Sequence, residues 1–426
     1  MPPKNAPHCM TNTKKRIKIT NSLHKLPNEL LSKVLIPLPL ANIKNLSRLR
    51  ELQTKITSNY VLWHSKCMLS NVSTRRVEKS DGYFAVYRQY CRIRRCWMSG
   101  HMESRTVFST NQPDITHAQC NDRYIVVSSD DQSIKIFDVN GCLRKNLVGH
   151  FGGVWTFQWH KDVIVSGSTD KSIRVWDFVT GWPLRHLKGH RSTVRCLKVY
   201  KEYIVSGARD STIKVWSMDG VLLHTLKGHA ESVRCIDVYH SMLVSGSYDG
   251  TVILWDYPKG AMVRRLKSHL LRVYSVLIGR NHIISGGQDS FIHVSDIKGQ
   301  FITTLHAHRS IVAWLELTSD PVHRIDHLLV SAGADGHICI WDLHTGTLRD
   351  KIVENMPITT IALKNDCLFV GVHNRVKVYD LRDAQFKRTL IDNLSSVYKV
   401  YCTESRIVVG CKRSSCAEIA VFSYDI

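Results

Sequence analysis

The sequence predicts an all-β eight-bladed propeller preceded by a small all-α segment. Similar units of roughly 40 residues recur through residues 101–426, and such a period is typical of repeat architectures. Each unit consists of short β-rich runs separated by turns. Residues 22–70 instead place apolar side chains at helical spacing.

A turn aspartate marks the period of the repeat. Successive turns lie 39, 40, 39, 40 and 46 residues apart, at Asp131, Asp170, Asp210, Asp249, Asp289 and Asp335. The longest interval contains "SDPVHRID", for which we expect a loop. With a Gly-His pair early and a Trp-Asp pair late, the unit resembles the WD repeat, which forms one four-stranded propeller blade.

Polar residues recur at fixed places in the second, third and fourth units: His150, Ser166, Asp170 and Trp176; His190, Ser206, Asp210 and Trp216; His229, Ser245, Asp249 and Trp255. The resemblance implies a hydrogen-bonded chain from Trp through Ser and His to Asp inside each blade. Buried polar groups require such partners. A catalytic triad occurs once rather than in every repeat, so we expect no catalytic residues and a protein that is not an enzyme.

The first, fifth and seventh units have drifted from the pattern, and the eighth ends one strand short. The segment "SRTVFST", residues 104–110, precedes the first unit. We expect it to supply the missing strand, because this pairing removes exposed sheet edges and closes the ring.

The segment "LPNELLSKVL…LW…KC" within residues 22–70 resembles the F-box. That resemblance implies docking on a Skp-type adaptor and, through it, a cullin–RING ubiquitin ligase. The implied adaptor contacts are Leu26, Pro27, Leu30, Val34 and Leu35. A plain helical bundle capping the propeller is the alternative.

Residues 71–100 are interpreted as a helical linker, with a helix over residues 82–98. Its aromatic stripe comprises Tyr83, Tyr87, Tyr90 and Trp97, and its arginines lie off that stripe. Residues 1–21 are interpreted as a basic disordered tail. The run Lys14–Lys18 is either a nuclear import patch or an ordinary basic tail.

The formal net charge is +22, of which residues 1–100 contribute +15. Such a surplus indicates an anionic partner: nucleic acid, acidic membrane or phosphorylated protein. No apolar run is long enough for a membrane span, and no secretory signal is evident. The 13 cysteines form no zinc pattern, so we expect reduced thiols, no metal, no cofactor and a nuclear or cytoplasmic location.

Two equivalent positions on one face of the propeller collect arginines and aromatic residues. The first, five residues after the Gly-His histidine, gives Trp155, Arg195, Arg234, Tyr274 and Ala313 around the ring. The second, just before the turn aspartate, gives Thr169, Arg209, Tyr248, Gln288 and Ala334. Arginine suits bidentate capture of phosphate. The alternative is that these arginines bridge blades through carboxylates.

The stretches "GHFGGVW", "STVRC", "SGARD", "SVRC" and "SGSYD" resemble F-box/WD-repeat substrate receptors of the cell division control protein 4 type. This resemblance implies recognition of phosphorylated degrons. It assigns phosphate contacts to Arg195, Arg209 and Arg234, and flanking contacts to Tyr248, Tyr274, Ser192 and Thr193. Trp155 becomes the wall for the proline side, and Lys412 the basic residue of the last blade.

The sequence therefore predicts the substrate-recognition subunit of an SCF-type ligase, with no membrane partner and little role for nucleic acid. Two alternatives remain. One is an RNA- or ribosome-associated WD-repeat scaffold, which would use the net charge. The other is an F-box/propeller receptor of the nutrient-sensing type, which need not recognise phosphate.

Overall fold

The structure is a computed structural model that describes residues 28–38, 43, 56–57, 59–69, 80–100, 104–110, 114–319, 326–364, 366–403, 405–413 and 416–424. The predicted basic tail, the Lys14–Lys18 run, Leu26 and Pro27 lie outside these residues. So do positions 320–325, in the interval where a loop is expected.

Three described helices, α1 (Asn28–Leu35), α2 (Tyr60–Leu69) and α3 (Ser80–Ser99), precede the strands. Residues up to Ile93 belong to one compact unit. Its core is apolar and comprises Leu31, Leu35, Ile43, Ile56, Leu62, Trp63, Cys67, Tyr87 and Tyr90. The i, i+4 pair Trp63 and Cys67 is fully buried, as expected for one face of a helix. None of the described helices is long and apolar enough to cross a bilayer.

Asn59 begins α2 as its N-cap. Its Oδ1 accepts hydrogen bonds from the Leu62 N–H and the Ser32 hydroxyl, both at 2.9 Å. An N-cap side chain satisfies a backbone N–H that the first helical turn leaves unpaired. The Trp63 indole donates to the Ile56 carbonyl at 2.6 Å. These contacts join α1, α2 and the segment before α2 into one cluster.

Beyond Ile93 the helix α3 belongs to the propeller unit. The Arg94 guanidinium forms a 2.6 Å ion pair with Asp380. The Trp97 ring is fully buried and packs edge-on against Phe369 and Tyr424. Arg88, Arg92 and Arg95, which lie off the aromatic stripe of this helix, are exposed.

The prediction of eight blades is confirmed: 32 strands form eight four-stranded sheets. Blade one has strands β2 (Ile115–Cys120), β3 (Tyr124–Ser129), β4 (Ile134–Asp138) and β5 (Leu143–Leu147); blade two has β6 (Val154–His160), β7 (Val163–Ser168), β8 (Ser172–Asp177) and β9 (Pro183–Lys188). Blade three has β10 (Val194–Tyr200), β11 (Tyr203–Ala208), β12 (Ile213–Ser217) and β13 (Leu222–Leu226); blade four has β14 (Val233–Tyr239), β15 (Met242–Ser247), β16 (Val252–Asp256) and β17 (Ala261–Arg265).

Blade five has β18 (Val273–Ile278), β19 (His282–Gly287), β20 (Phe291–Asp296) and β21 (Phe301–His306); blade six has β22 (Val312–Ser319), β23 (Asp326–Gly333), β24 (His337–Asp342) and β25 (Thr347–Val353). Blade seven has β26 (Ile358–Lys364), β27 (Cys367–Val372), β28 (Arg375–Asp380) and β29 (Phe386–Ile391); blade eight has β30 (Ser396–Cys402), β31 (Arg406–Arg413) and β32 (Cys416–Ser423).

The fourth strand of blade eight is β1 (Ser104–Ser109), which comes from the other end of the chain. It pairs antiparallel with β32, from Ser104 opposite Ser423 to Ser109 opposite Glu418. The Phe108 ring packs 5.0 Å from Phe137 of blade one. This pairing closes the ring of blades, because the first and last propeller strands share one sheet.

The predicted hydrogen-bonded chain forms inside the blades. In blade two the Trp176 indole donates to Ser166 Oγ at 2.8 Å, His150 Nε2 contacts that oxygen at 2.8 Å, and His150 Nδ1 contacts Asp170 at 2.8 Å. Blades three and six repeat the arrangement. Blade four keeps the bonds of Trp255 and His229 to Ser245, but His229 Nδ1 contacts Thr251 Oγ1 at 2.7 Å and lies 3.5 Å from Asp249. Blade five keeps Ser285 and His269 at 2.9 Å but has Ser295 in place of the tryptophan.

The turn aspartates of blades two to six are held ionised, because hydrogen bonds lower their pKa values. Burial alone would raise the pKa of Asp170, but hydrogen bonds from His150 and Ser172 hold that pKa well below its usual value. Asp210 behaves in the same way through His190 and Thr212. These contacts stabilise the carboxylate form and fix the turn that precedes the third strand of these blades. The Ser, His and Asp residues therefore contribute to the framework of the blades.

Candidate anion-binding rim

The two positions singled out in the sequence lie at one end of the blades. The Arg209 N–H donates to the Thr193 carbonyl at 2.9 Å, and the Tyr248 N–H donates to the Ser232 carbonyl at 3.0 Å. These bonds bring the residue after each second strand beside the start of the first strand, where Arg195 and Arg234 lie. We call Trp155, Arg195, Arg209, Arg234, Tyr248 and Tyr274 together the rim patch.

Arg195 and Trp155 form the clearest contact of the rim patch. The Arg195 guanidinium carbon lies 4.5 Å from the centroid of the Trp155 ring, within the range of a cation–π interaction. Trp155 keeps 42% of its surface exposed. The ring therefore holds the guanidinium in place while leaving a flat apolar surface open to a ligand.

A second group of rings lies on blades four and five. The Arg234 guanidinium carbon is 6.0 Å from the Tyr274 centroid, and the Tyr248 and Tyr274 rings are 5.7 Å apart. Both tyrosines are half-buried. The structure thus brings together the arginines and aromatic residues predicted from two sequence positions.

No carboxylate neutralises the three arginines within the described part of the chain. None forms an ion pair there, so the described residues give no support to carboxylate bridges between blades. Burial lowers the pKa of Arg195, and the positive charges of Arg234 and Arg209 lower it further. Like charges in a partly desolvated site repel one another. An anion between them would relieve that repulsion.

Two buried donors of the rim have no acceptor in the described structure. They are Nε of Arg195 and Oγ of Ser232. Buried polar groups are nearly always hydrogen-bonded, so an unsatisfied one points to a missing partner. Ser232 was not predicted from the sequence. Its position in the repeat could have indicated it, because Ser232 directly precedes β14, the inner strand of blade four, as Thr193 directly precedes β10 of blade three.

A cavity of about 940 Å³ opens at the rim. Its lining includes Trp155, Arg195 and Arg234 at the mouth, and Lys198 and Glu316 further along the inner strands. Lys198 is paired with Asp237 at 2.9 Å. Burial raises the pKa of Glu316, although the nearby Lys399 and Lys198 oppose this shift. The lining also includes the acidic residues Asp114 and Asp130 and the basic residues Lys364 and Lys399.

Lys412 lies in blade eight at the position equivalent to Arg209. Its ammonium is 2.9 Å from Asp114 Oδ1, and the Tyr398 hydroxyl also donates to that carboxylate. Hydrogen bonds from Tyr398 and Lys412 lower the pKa of Asp114. The predicted basic residue is present, but a carboxylate already takes up its charge. Ser192 and Thr193 are half-buried beside Arg195.

The five predicted adaptor contacts are only partly described. Leu30 lies in α1, but its side chain, like Leu26 and Pro27, lies outside the described residues. Val34 has 46% of its surface exposed. Leu35 is fully buried in the helical core.

One group of possible metal ligands occurs among the described residues: His269, Asp289 and His293. His269 is already hydrogen-bonded to Ser285 and Asp289, and His293 Nδ1 is hydrogen-bonded to the Thr304 hydroxyl at 3.0 Å. The three side chains therefore already have protein partners. None of the described cysteines forms a disulfide.

The family model described as "WD domain, G-beta repeat" matches residues 141–177, 181–217, 220–256 and 299–342. All four matches lie within the propeller. Among solved structures, the computationally designed Ika8 protein superposes with a TM-score of 0.68 at 28% identity, covering 74% of this chain and 97% of the designed one. That likeness concerns the fold.

The curated proteins that the chain resembles include two from fungi. Cell division control protein 4 of Saccharomyces cerevisiae is 38% identical over 89 residues, 20% of this chain and 10% of the relative. WD repeat-containing protein pop1 of Schizosaccharomyces pombe is 32% identical over 178 residues, 38% of this chain and 23% of the relative. The chain thus spans less than a quarter of the length of either relative. The chain therefore contains WD repeats: four match the family model, and the described residues form eight four-stranded blades.

Proposed function

We propose that the chain is the non-catalytic substrate-recognition subunit of an SCF-type cullin–RING ubiquitin ligase. In this proposal, the rim patch binds degrons phosphorylated on Ser or Thr before proline. The helical segment before the propeller binds the Skp-type adaptor as an F-box. The ubiquitin-transfer chemistry belongs to the partner subunits.

The observation that carries the proposal is the convergence of Arg195, Arg209 and Arg234 without a neutralising carboxylate in the described residues. A phosphorylated side chain carries about −1.5 to −2 charges at neutral pH and three acceptor oxygens. Charge-assisted hydrogen bonds contribute about 1.5–3 kcal/mol each. Such a group would also satisfy the unpaired donors of Arg195 and Ser232.

The exposed Trp155 ring supports the choice of a proline-directed phosphosite. A proline ring is apolar and offers a flat face to a flat aromatic surface. Trp155 already lies against Arg195, so a ligand that places phosphate on Arg195 brings its next residue close to the indole.

A pull-down with the full chain tests both halves of the proposal. One bait is a doubly phosphorylated Thr-Pro peptide, and the other is the Skp-type adaptor. We expect the phosphorylated peptide, but not its unphosphorylated twin, to retain the protein. The exposed Val34 offers a separating variant: Val34→Glu should lose the adaptor and keep the peptide. If the unmodified chain does not bind the adaptor, the ligase role is refuted.

A double variant distinguishes a phosphodegron receptor from a receptor of the nutrient-sensing type. If the variant with both Arg209→Ala and Arg234→Ala still binds the degron, recognition does not depend on phosphate, and the nutrient-sensing hypothesis replaces the phosphodegron hypothesis. Loss of binding in the double variant supports the phosphodegron reading.

One observation favours the second candidate, an RNA- or ribosome-associated scaffold. The outermost strands of blades one, two and four, β5, β9 and β17, carry six Lys or Arg residues and no acidic residue. Arg144 on β5 is paired with Asp138, but Lys188 and Arg264 are exposed. Binding of this kind falls steeply with salt and ignores peptide phosphorylation. Competition between RNA and the phosphopeptide distinguishes the two candidates.

A further inference from the structure

A fourth unneutralised guanidinium lies at the rim, on blade five. Arg272 directly precedes β18, and its carbonyl accepts a 2.8 Å hydrogen bond from the Gln288 N–H. This bond is equivalent to the one between Arg209 and Thr193 on blade three. Arg272 is therefore at the same end of the blades as the rim patch, and its side chain is exposed.

Arg272 is held by the neighbouring blade. Its guanidinium carbon lies 5.0 Å from the centroid of the Tyr248 ring. Tyr248 contacts Tyr274 at 5.7 Å, and Tyr274 lies under Arg234 at 6.0 Å. Two guanidiniums thus flank a pair of phenol rings. A guanidinium over a ring keeps its N–H groups available for an oxyanion.

Nothing described on this side of the rim neutralises Arg272. It forms no ion pair with a described residue. The rim positions that follow on blades five and six are uncharged: Gln288, Ala313 and Ala334. The contrast with blade eight is direct, since Lys412 occupies a rim position but is paired with Asp114. Arg272 is available to a ligand, and Lys412 is not.

We propose that Arg272 forms a second anion subsite, which binds an acidic group on the same peptide whose phosphate occupies the rim patch. The inference rests on the proposed function and deepens it, because it specifies the ligand as a peptide with two separated negative groups. A carboxylate side chain and a second phosphate share the required chemistry.

The geometry limits where that acidic group lies. The distance between the Arg234 and Arg272 guanidinium carbons is at most the sum of three distances: 6.0 Å from Arg234 to the Tyr274 ring, 5.7 Å between the two tyrosine rings, and 5.0 Å from the Tyr248 ring to Arg272. An extended chain advances about 3.3 Å per residue, so about five residues or fewer bridge them. Trp155 on blade two lies on the other side of Arg195 and Arg234 from Arg272. With proline against Trp155, the acidic group therefore precedes the phosphorylated residue.

The test measures peptide binding to the full chain by fluorescence anisotropy. The reference peptide carries one phosphothreonine before proline and neutral flanks. Three other peptides each add one acidic residue to this reference. The first has glutamate before the phosphothreonine, the second has phosphoserine at that same position, and the third has glutamate the same number of residues after the phosphothreonine. We expect the preceding acidic group to tighten binding about tenfold, the effect of one charge-assisted contact. Glutamate after the phosphothreonine should leave affinity unchanged.

Arg272→Gln should remove that gain and keep the affinity for the reference peptide within about twofold, since the rim patch is unaltered. The matched control is Arg309→Gln, which removes one exposed arginine from a loop of blade six and should keep the gain. A gain from phosphoserine alone would support the proposal and identify phosphate as the source of the charge.

A gain that survives Arg272→Gln, or appears only when glutamate follows the phosphothreonine, would overturn the inference. So would the absence of any gain, provided that the reference peptide still binds in a phosphate-dependent way. If the reference peptide shows no phosphate dependence, the proposed function fails and this inference fails with it. The two failures are therefore distinguishable.

Discussion

The guanidinium of Arg195 lies 4.5 Å from the centre of the Trp155 ring, with Nε buried and without an acceptor. The first prediction follows from this pair. Arg195→Ala should weaken phosphopeptide binding about 10- to 100-fold, because it removes a charge-assisted contact. Arg195→Lys should restore little, since an ammonium cannot bind bidentately. Titration calorimetry measures both.

The control for Arg195 is Arg191→Ala, four positions earlier and exposed. It lowers the net charge equally and should change affinity less than about twofold. An equal loss in both variants would mean that the rim acts through its overall field rather than through a specific contact.

The second prediction concerns Lys412, whose ammonium is paired with Asp114. Lys412→Ala should leave phosphopeptide affinity nearly unchanged, because this charge is already compensated. Asp114→Asn should tighten binding by about two- to fivefold at low salt, since it removes a negative charge from the rim. A loss in Lys412→Ala as large as that in Arg209→Ala would show that Lys412 contacts the ligand directly.

The third prediction compares two serines of the blade framework. Ser245 bonds both Trp255 and His229, whereas Ser285 bonds His269 in a blade without the tryptophan. Ser245→Ala leaves two buried groups unsatisfied and should lower the free energy of unfolding by about 2–4 kcal/mol; Ser285→Ala should lower it by about 1–2 kcal/mol. Urea denaturation measures both, and equal values would contradict the proposed origin of the difference.

The fourth prediction concerns ring closure by β1. Phe108→Ala should lower the free energy of unfolding by about 1–3 kcal/mol, because its ring packs against Phe137. Val107 on the same strand is 41% exposed, so Val107→Ala should cost less than about 0.5–1 kcal/mol. If both variants unfold at the same denaturant concentration, packing of β1 on blade one does not hold the ring shut.

The fifth prediction is an acid limit on stability. Burial lowers the pKa of His229 and of His293 to about 4, whereas in the unfolded chain a histidine titrates near 6.5. Between these values the unfolded state binds more protons, so stability falls as the pH falls. Below them, protonation of Asp170 and Asp210 removes further stability, because their folded pKa values are lowered.

Apparent denaturation midpoints at pH 7.5, 6.5, 5.5 and 4.5 should therefore decline steadily. His293→Gln should flatten the decline, since it removes one of the groups that protonate on unfolding. A midpoint that rises between pH 6.5 and 4.5 would contradict this assignment.

Much of this molecule follows from local sequence pattern. The eight blades, the closing strand and the Trp–Ser–His–Asp chain could be predicted because each depends on residues at fixed spacing. The two rim positions could be placed for the same reason. Their contacts across blades could not be predicted. Lys412 and Asp114 are 298 residues apart, and the position of Lys412 in its repeat does not indicate which carboxylate it contacts.

The exposure of individual side chains could not be predicted from the sequence either. Val34 and Leu35 are adjacent in the F-box-like segment, yet one is exposed and the other fully buried. Arg272 was not predicted as a rim residue, because it precedes the repeat position at which the other rim residues lie. Only the fold shows that its guanidinium reaches Tyr248 of the preceding blade.

The central claim is that the rim recognises a phosphate group through Arg195, Arg209 and Arg234. The most direct measurement is the ratio of dissociation constants for a Thr-Pro peptide with and without phosphate on the threonine. We predict a ratio of about 100 or more for the unmodified chain, from two or three charge-assisted contacts, and a ratio near one after all three arginines are changed to alanine. Equal affinity for the two peptides, or a preference that survives the triple substitution, would contradict the claim.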